Sequence, residues 1–146
     1  RRSGEYVGGE YVGGEYVGGE YVGGEHVGGG SSSQELAVAA ARAADEKGAT
    51  DIVVLDVGDL LGICGWFVIA TASNSRLVKA VVDEVEEQLA ELHGLKPRAV
   101  EGLAERRWVL LDYADLIVHV FHAEERDYYR VERLYSDAPK LDWQND

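Results

Sequence analysis

Along residues 34–143 the apolar positions change period several times, and each change marks an element. Residues 34–47 are Ala-rich, with Leu36, Ala40, Ala43 and Ala44 at helical spacing, Ser33 as a cap and Gly48 as a stop. Asp51-Ile-Val-Val-Leu-Asp-Val57 is a β-branched run that predicts a buried strand, and Gly58 to Gly65 predicts a loop. Trp66 to Thr71 predicts the second strand, followed by an N-cap cluster at Ser73-Asn-Ser75. Leu77, Val78, Val81, Val82, Val85, Leu89 and Leu92 then repeat on one face of a long amphipathic helix. Gly94 ends it, and Pro97 enforces an extended exit. Glu101-Gly102 turns into a strand over Arg107 to Asp112, and Tyr113-Ala-Asp115 turns into a strand over Leu116 to Phe121. A closing helix is expected from about Ala123 to Tyr135, with Tyr128, Val131, Leu134 and Tyr135 on its apolar face. This order predicts an α/β (α+β) domain with a single mixed β-sheet packed by helices.

The amino-terminal part follows a different rule. Glu-Tyr-Val-Gly-Gly occurs four times from Glu5, and Glu-His-Val-Gly-Gly completes the run at Gly29. A period of five matches neither helix nor strand, and paired glycines raise the entropic cost of ordering. Residues 1–33 are therefore expected to be a disordered repeat tail and Gly/Ser linker, residues 34–142 the domain, and residues 143–146 a short carboxyl-terminal tail. The chain holds no Met, so a fragment or trimmed product is expected.

Charge narrows the choice of partner. The net charge is −13, and because residues 1–33 hold two Arg and five Glu, −10 of it lies in residues 34–146. Phosphate repels such a body, which argues against direct nucleic-acid readout and favours a basic protein partner. Acidity alone also keeps many domains soluble. The single cysteine, Cys64, excludes an intramolecular disulfide and fits a reducing, cytoplasmic setting. No apolar run is long enough to predict a membrane span.

The candidate chemistry lies on the last two strands. Alternation places Trp108, Leu110 and Asp112 on one face, and Ile117, His119 and Phe121 together on one face of the next strand. The opposite, aliphatic sets are expected to face the helices. That leaves an aromatic and charged patch facing outward or under partial cover, a composition typical of an interface. The competing structural reading packs Trp108 under a helix and bonds His119 to Asp112 or Asp115. His119 and His122 point to opposite faces of a strand, so a shared metal is not expected. A metal-dependent enzyme would gather Asp56, Asp112 and Asp115 in one cleft, but no Gly-Lys-Ser/Thr phosphate loop accompanies them. No nucleophile, base and oxyanion donor assemble, so no cofactor is expected.

Several stretches together resemble the ribosomal silencing factor family, also called Iojap-like. They are Ile-Val-Val-Leu-Asp-Val57, Trp66 to Thr71 with Ser73-Asn-Ser-Arg76, Glu101-Gly102, Trp108 to Tyr113, Asp115 to Phe121, and Arg126 with Tyr129, Glu132, Arg133 and Leu134. The resemblance implies a nucleotidyltransferase-like topology without enzymatic activity. It implies binding to the large ribosomal subunit through large-subunit ribosomal protein fourteen, a steric block to joining of the small subunit, lowered translation when nutrients are scarce, and possible homodimers. Trp108, Asp112, Tyr113, Asp115, His119 and Phe121 would form or border the partner-binding surface. Arg126 and Glu132 would be a support pair. The chain departs from the family pattern at Gly65, where Asp is usual, at Ala72, where Gly is usual, and at Tyr135, where Trp is usual. Other functional classes the sequence admits are a nucleotidyltransferase-like metal-dependent enzyme and a dimeric scaffold.

Overall fold

The computed structural model describes residues 6–7, 10–11, 32–62 and 64–145. In the repeat, Tyr6–Val7 (β1) and Glu10–Tyr11 (β2) pair as a short antiparallel ladder; the rest of the expected disordered tail and linker, apart from Ser32 and Ser33, lies outside the described residues. The domain runs α1 (Ser33–Glu46), β3 (Thr50–Asp56), α2 (Gly58–Leu61), β4 (Trp66–Ala72), α3 (Ser75–His93), β5 (Ala99–Glu101), β6 (Trp108–Asp112), β7 (Leu116–His122), α4 (Ala123–Tyr129) and α5 (Val131–Leu134), then a 3-10 turn at Trp143–Asn145.

Local chemistry sets the helix ends. Ser32, one residue before the expected cap, accepts from the Glu35 N–H while Glu35 reaches back to the Ser32 N–H, closing a capping box. Asn74 caps α3 through the Leu77 N–H, and Gly94 ends it with a left-handed φ of 67°. The stretch expected as a loop contains the single turn α2, which Gly62 closes at φ 74°. Gly102 cannot carry a side chain: its φ is 86°, and a Cβ there would collide with the Trp108 carbonyl oxygen.

Five strands form one mixed sheet in the order β3-β4-β7-β6-β5. Only β4 and β7 run parallel; the other neighbours are antiparallel. The long α3 lies in the crossover between β4 and the last strand pair, as parallel neighbours require a crossover. The mixed sheet with packed helices is the architecture expected from the sequence.

Both faces of the sheet are covered. On one, Val68, Ala70, Val109, Leu111, Val118 and Val120 meet the apolar stripes of α1 and α3. Burying a Val or Leu side chain contributes roughly 1.5–3 kcal/mol, so this layer is the main source of cohesion. On the other face, Leu55, Phe67, Ile69, Leu110, Ile117 and Phe121 pack under Val131 and Ala138. Of the two arrangements expected for the aromatic face, outward or under partial cover, the covered one is found: the carboxyl-terminal segment folds over it as a strap and leaves Trp108 half-buried. Lys140 bridges Leu55, and the Leu141 N–H donates to the Val54 carbonyl at 2.9 Å, which covers part of the β3 edge. Trp143, at the start of the stretch set apart as a tail, is buried and donates from Nε1 to the Ile52 carbonyl at 3.4 Å.

The strap is not the one helix expected over residues 123–135. Arg130 sits at φ 49°, a left-handed conformation that stops α4 and starts α5. Its guanidinium holds the Asp127 carbonyl at 2.8 Å, which stabilises the break locally. As a result Tyr128 and Leu134 point to solvent, while Val131 remains buried.

Candidate functional site

The register of the sheet decides how the candidate residues group. Trp108 pairs with Phe121, and Leu110 with His119, so the Trp108 and His119 rings are diagonal neighbours on one face. Asp112 pairs with Ile117 at the far end of the same ladder, with Tyr113 and Asp115 in the turn beyond it. The six residues therefore form two groups at opposite ends of the strand pair.

The first group is aromatic. Trp108 is half-buried and stacks on Phe121 with ring centroids 4.7 Å apart. Its Nε1 donates to His119 Nδ1 at 3.1 Å, which satisfies the indole and places the imidazole proton on Nε2. His119 bonds to neither Asp112 nor Asp115 in this way. Phe67 meets His119 edge-on at 4.6 Å. His119 is buried, and burial first, then the positive charge of Arg126, lowers its pKa to about 3. Buried Phe121 and His119 thus form a rigid base under Trp108 rather than a surface.

Two tyrosines of α4 complete the group, one of which, Tyr128, the helical pattern assigns to the packed face. Tyr129 lies 4.9 Å from Trp108, and Tyr128 meets Tyr129 edge-on at 4.9 Å. Tyr128 is 79% exposed and Tyr129 46%. The helix that carries them is pinned from below. Arg126 is buried; its Nη1 donates to Thr71 Oγ1 at 2.6 Å, and its Nε to both Glu132 oxygens at 3.1 and 3.2 Å. The Arg126 and Glu132 support pair expected from the sequence is therefore present, and it ties α4 to β4 and to α5. The outcome is a pre-ordered aromatic ridge, Trp108, Tyr129 and Tyr128, standing on an acidic domain.

The second group is polar, and its two carboxylates are engaged within the fold. Asp112 is buried; its Oδ1 accepts from Arg98 Nε at 3.1 Å and from the Ala114 N–H at 2.8 Å. Asp115 accepts a hydrogen bond from the Ser33 hydroxyl, which fastens the start of α1 to the sheet, and its carbonyl accepts from the Trp66 N–H at 3.1 Å. A Cβ at Gly65 would stand 3.1 Å from Asp115 Oδ1, so the carboxylate usual in the family at position 65 would crowd Asp115. Ala72, the other departure, is buried in β4 and lies outside the positive-φ positions, so it needs no glycine. Tyr113 turns to the opposite side, into the core beneath the long helices.

Catalytic arrangements find little support in this geometry. Asp56 Oδ1 accepts from the Gly58 N–H at 3.2 Å, a turn role, while Asp112 and Asp115 are engaged as described. Among the described residues, the acidic group with metal-compatible spacing is His122, Glu124 and Glu125 rather than the three aspartates. Both of its glutamates already pair with Arg107, at 2.7 and 2.9 Å, and His122 Nδ1 accepts from the Glu124 N–H at 3.2 Å. Cys64 is buried, its Sγ lies 3.3 Å from the Trp66 carbonyl, and burial followed by the Asp115 charge pushes its thiol well above the ordinary value. A thiol held protonated in this way is a poor nucleophile. Among the described residues, no helix is long and apolar enough to cross a membrane.

Comparison with known proteins gives a consistent result. The family model "Ribosomal silencing factor during starvation" matches residues 30–146. The chain is 41% identical to the ribosomal silencing factor RsfS of Bacillus subtilis over 103 residues, 70% of this chain and 86% of that protein. It is 32% identical to the chloroplastic protein Iojap of Zea mays over 110 residues, 73% of this chain and 46% of that longer protein. Among solved structures, an X-ray crystal structure of a protein from Chromobacterium violaceum superposes with a TM-score of 0.70 at 33% identity, covering 73% of this chain and 88% of the other.

Proposed function

The chain belongs to the ribosomal silencing factor family, and from that membership we propose that it binds the large ribosomal subunit through large-subunit ribosomal protein fourteen and sterically blocks joining of the small subunit. The observation that carries the reading is the ridge formed by Trp108, Tyr129 and Tyr128. Exposed aromatics in mutual contact on a buried and hydrogen-bonded base are the composition of an interface hot spot. They lose little side-chain entropy on binding because the base already holds them. The net charge of −13 favours approach to a basic ribosomal protein.

In this reading Trp108 makes direct contact, and Phe121 and His119 act as its support. Asp112, Tyr113 and Asp115 lie at the other end of the strand pair and border the contact only at a distance. The protein acts by occupancy rather than catalysis, in keeping with carboxylates that are consumed by turns and ion pairs. It works in the cytoplasm, where the subunits meet, and a homodimer is compatible with one ridge per copy.

The experiment is light scattering of purified subunits at a magnesium concentration that permits joining. Protein added before mixing is expected to lower the joined fraction in proportion to its concentration, and protein added after joining to have a much smaller effect. An unchanged joined fraction at saturating protein would contradict the proposal.

A further inference from the structure

The pentapeptide repeat has no part in the contact proposed above. Tyr6 and Tyr11 pair with each other in the β1–β2 ladder, and the next two units carry Glu15-Tyr16-Val17 and Glu20-Tyr21-Val22. These two units fall in residues 12–31, outside the described residues. The point where the chain joins the domain is fixed: the Ser33 hydroxyl bonds to the Asp115 carboxylate, at the turn before β7. The aromatic ridge stands at the other end of that strand, where Phe121 pairs with Trp108. Asp115 and Phe121 are six residues apart. At about 3.3 Å per strand residue the span is about 20 Å. Tyr21 and Tyr16 stand 11 and 16 residues before Ser32. Gly-rich chains of those lengths have end-to-end distances of about 17–24 Å, from roughly 5–6 Å times the square root of the residue number. Tethering is most effective where reach and span match in this way, and it gives effective concentrations in the millimolar range.

Charge points the same way. Among the described residues, Arg106 and Arg133 enter no ion pair, whereas Arg107 is held by Glu124 and Glu125, and Arg130 by Asp127. Arg106 precedes Trp108 by two residues, and Arg133 follows Tyr129 by four. Two unpaired cations therefore flank the rings of an otherwise acidic domain. We propose that a Glu-Tyr-Val unit of the repeat, centred on Tyr16 or Tyr21, docks on the aromatic ridge of its own chain. The repeat tyrosine packs against Tyr128 and Tyr129, where edge-on and offset ring pairs are favoured. The glutamate before it meets Arg106 or Arg133. The paired glycines on either side carry no side chain, so the backbone can lie close to the rings. A docked unit covers the surface assigned above to the ribosome and acts as a built-in competitor. That consequence rests on the proposed ribosome contact; the docking does not, and its test uses no ribosome.

The test is paramagnetic broadening in NMR spectra of the full chain carrying Gly18→Cys, with a nitroxide on the new thiol; Cys64 is buried and stays unlabelled. Lys79 is the internal reference. Its helix, α3, starts just after Ala72, which pairs with His122, so Lys79 lies over the ridge end of the sheet but on the opposite face. A repeat that visited the domain evenly would broaden both faces alike. The Trp108 indole and the Tyr128 and Tyr129 amides are expected to lose at least about twofold more intensity than Lys79, as for a site filled about half the time at millimolar effective concentration. Tyr16→Ser with Tyr21→Ser is expected to abolish the difference, and both substitutions lie outside the domain. Equal broadening of Lys79 and the ridge, or an unchanged difference in the double variant, would overturn the proposal. The same selective broadening in a mixture of spin-labelled, unenriched chain with isotope-enriched chain free of nitroxide would make the occupant a second copy and overturn docking within the chain.

Discussion

Replacing Tyr128 and Tyr129 together by alanine is expected to weaken binding to large ribosomal subunits by about a hundredfold, close to 3 kcal/mol. The size follows from the ridge. Tyr128 is 79% exposed and Tyr129 46%, and Tyr129 lies against the half-buried Trp108. Stability should change little, because Tyr128 is 79% exposed and Arg126, which anchors the helix, is untouched. This separates the pair from Trp108→Ala, which also removes the stack on Phe121 and the bond to His119 and so mixes folding with binding. Leu92→Ala is the control, since Leu92 is 63% exposed on the other layer and should leave binding unchanged. Sedimentation of each variant with large subunits, alongside urea unfolding, measures both quantities. A double variant that binds like the wild type would remove the ridge from the contact.

The second large effect concerns acid. Burial and then Arg126 hold the His119 pKa at about 3 against an ordinary 6.5. Between those values the unfolded chain binds a proton at this site and the folded chain does not. Stability therefore rises with pH across the window, is fully present above about 6.5, and is lost as pH falls towards 3. The slope is about 1.4 kcal/mol for each pH unit from this one group, on the order of a few kcal/mol between pH 6.5 and 4.5. His119→Leu removes the titrating group and leaves only the Trp108 indole, already half-buried, to find water. Urea unfolding at pH 7 and pH 4.5 is expected to show a much smaller acid loss in the variant than in the wild type. Equal losses would show that His119 is not held neutral.

Most of the architecture could be read from periodicity. Alternation in Trp108 to Asp112 and Leu116 to Phe121, and the repeat from Leu77 to Leu89, place the strands and the long helix because burial selects those periods directly. What escaped the reading depends on contacts between distant residues or on one unusual backbone angle. Tyr128, Val131 and Leu134 fit one helical face in sequence, yet Arg130 at φ 49° rotates the second half, so only Val131 is buried. Arginine in that conformation carries no sequence signal, unlike glycine. The cover over Phe121 and His119 likewise depends on where the carboxyl-terminal segment returns. The Ser33 bond to Asp115 joins residues 82 positions apart, and no spacing rule foretells it. The Trp108 and His119 pair was nearly legible: both residues stood out as unusual on strands, and only the register was needed to bring them together.

The most direct measurement of the central claim is co-sedimentation of the wild-type chain with isolated large and isolated small ribosomal subunits, side by side. Saturable recovery, near one chain per particle, is expected with the large subunit and background levels with the small. Equal recovery with both subunits, or with neither, would contradict it.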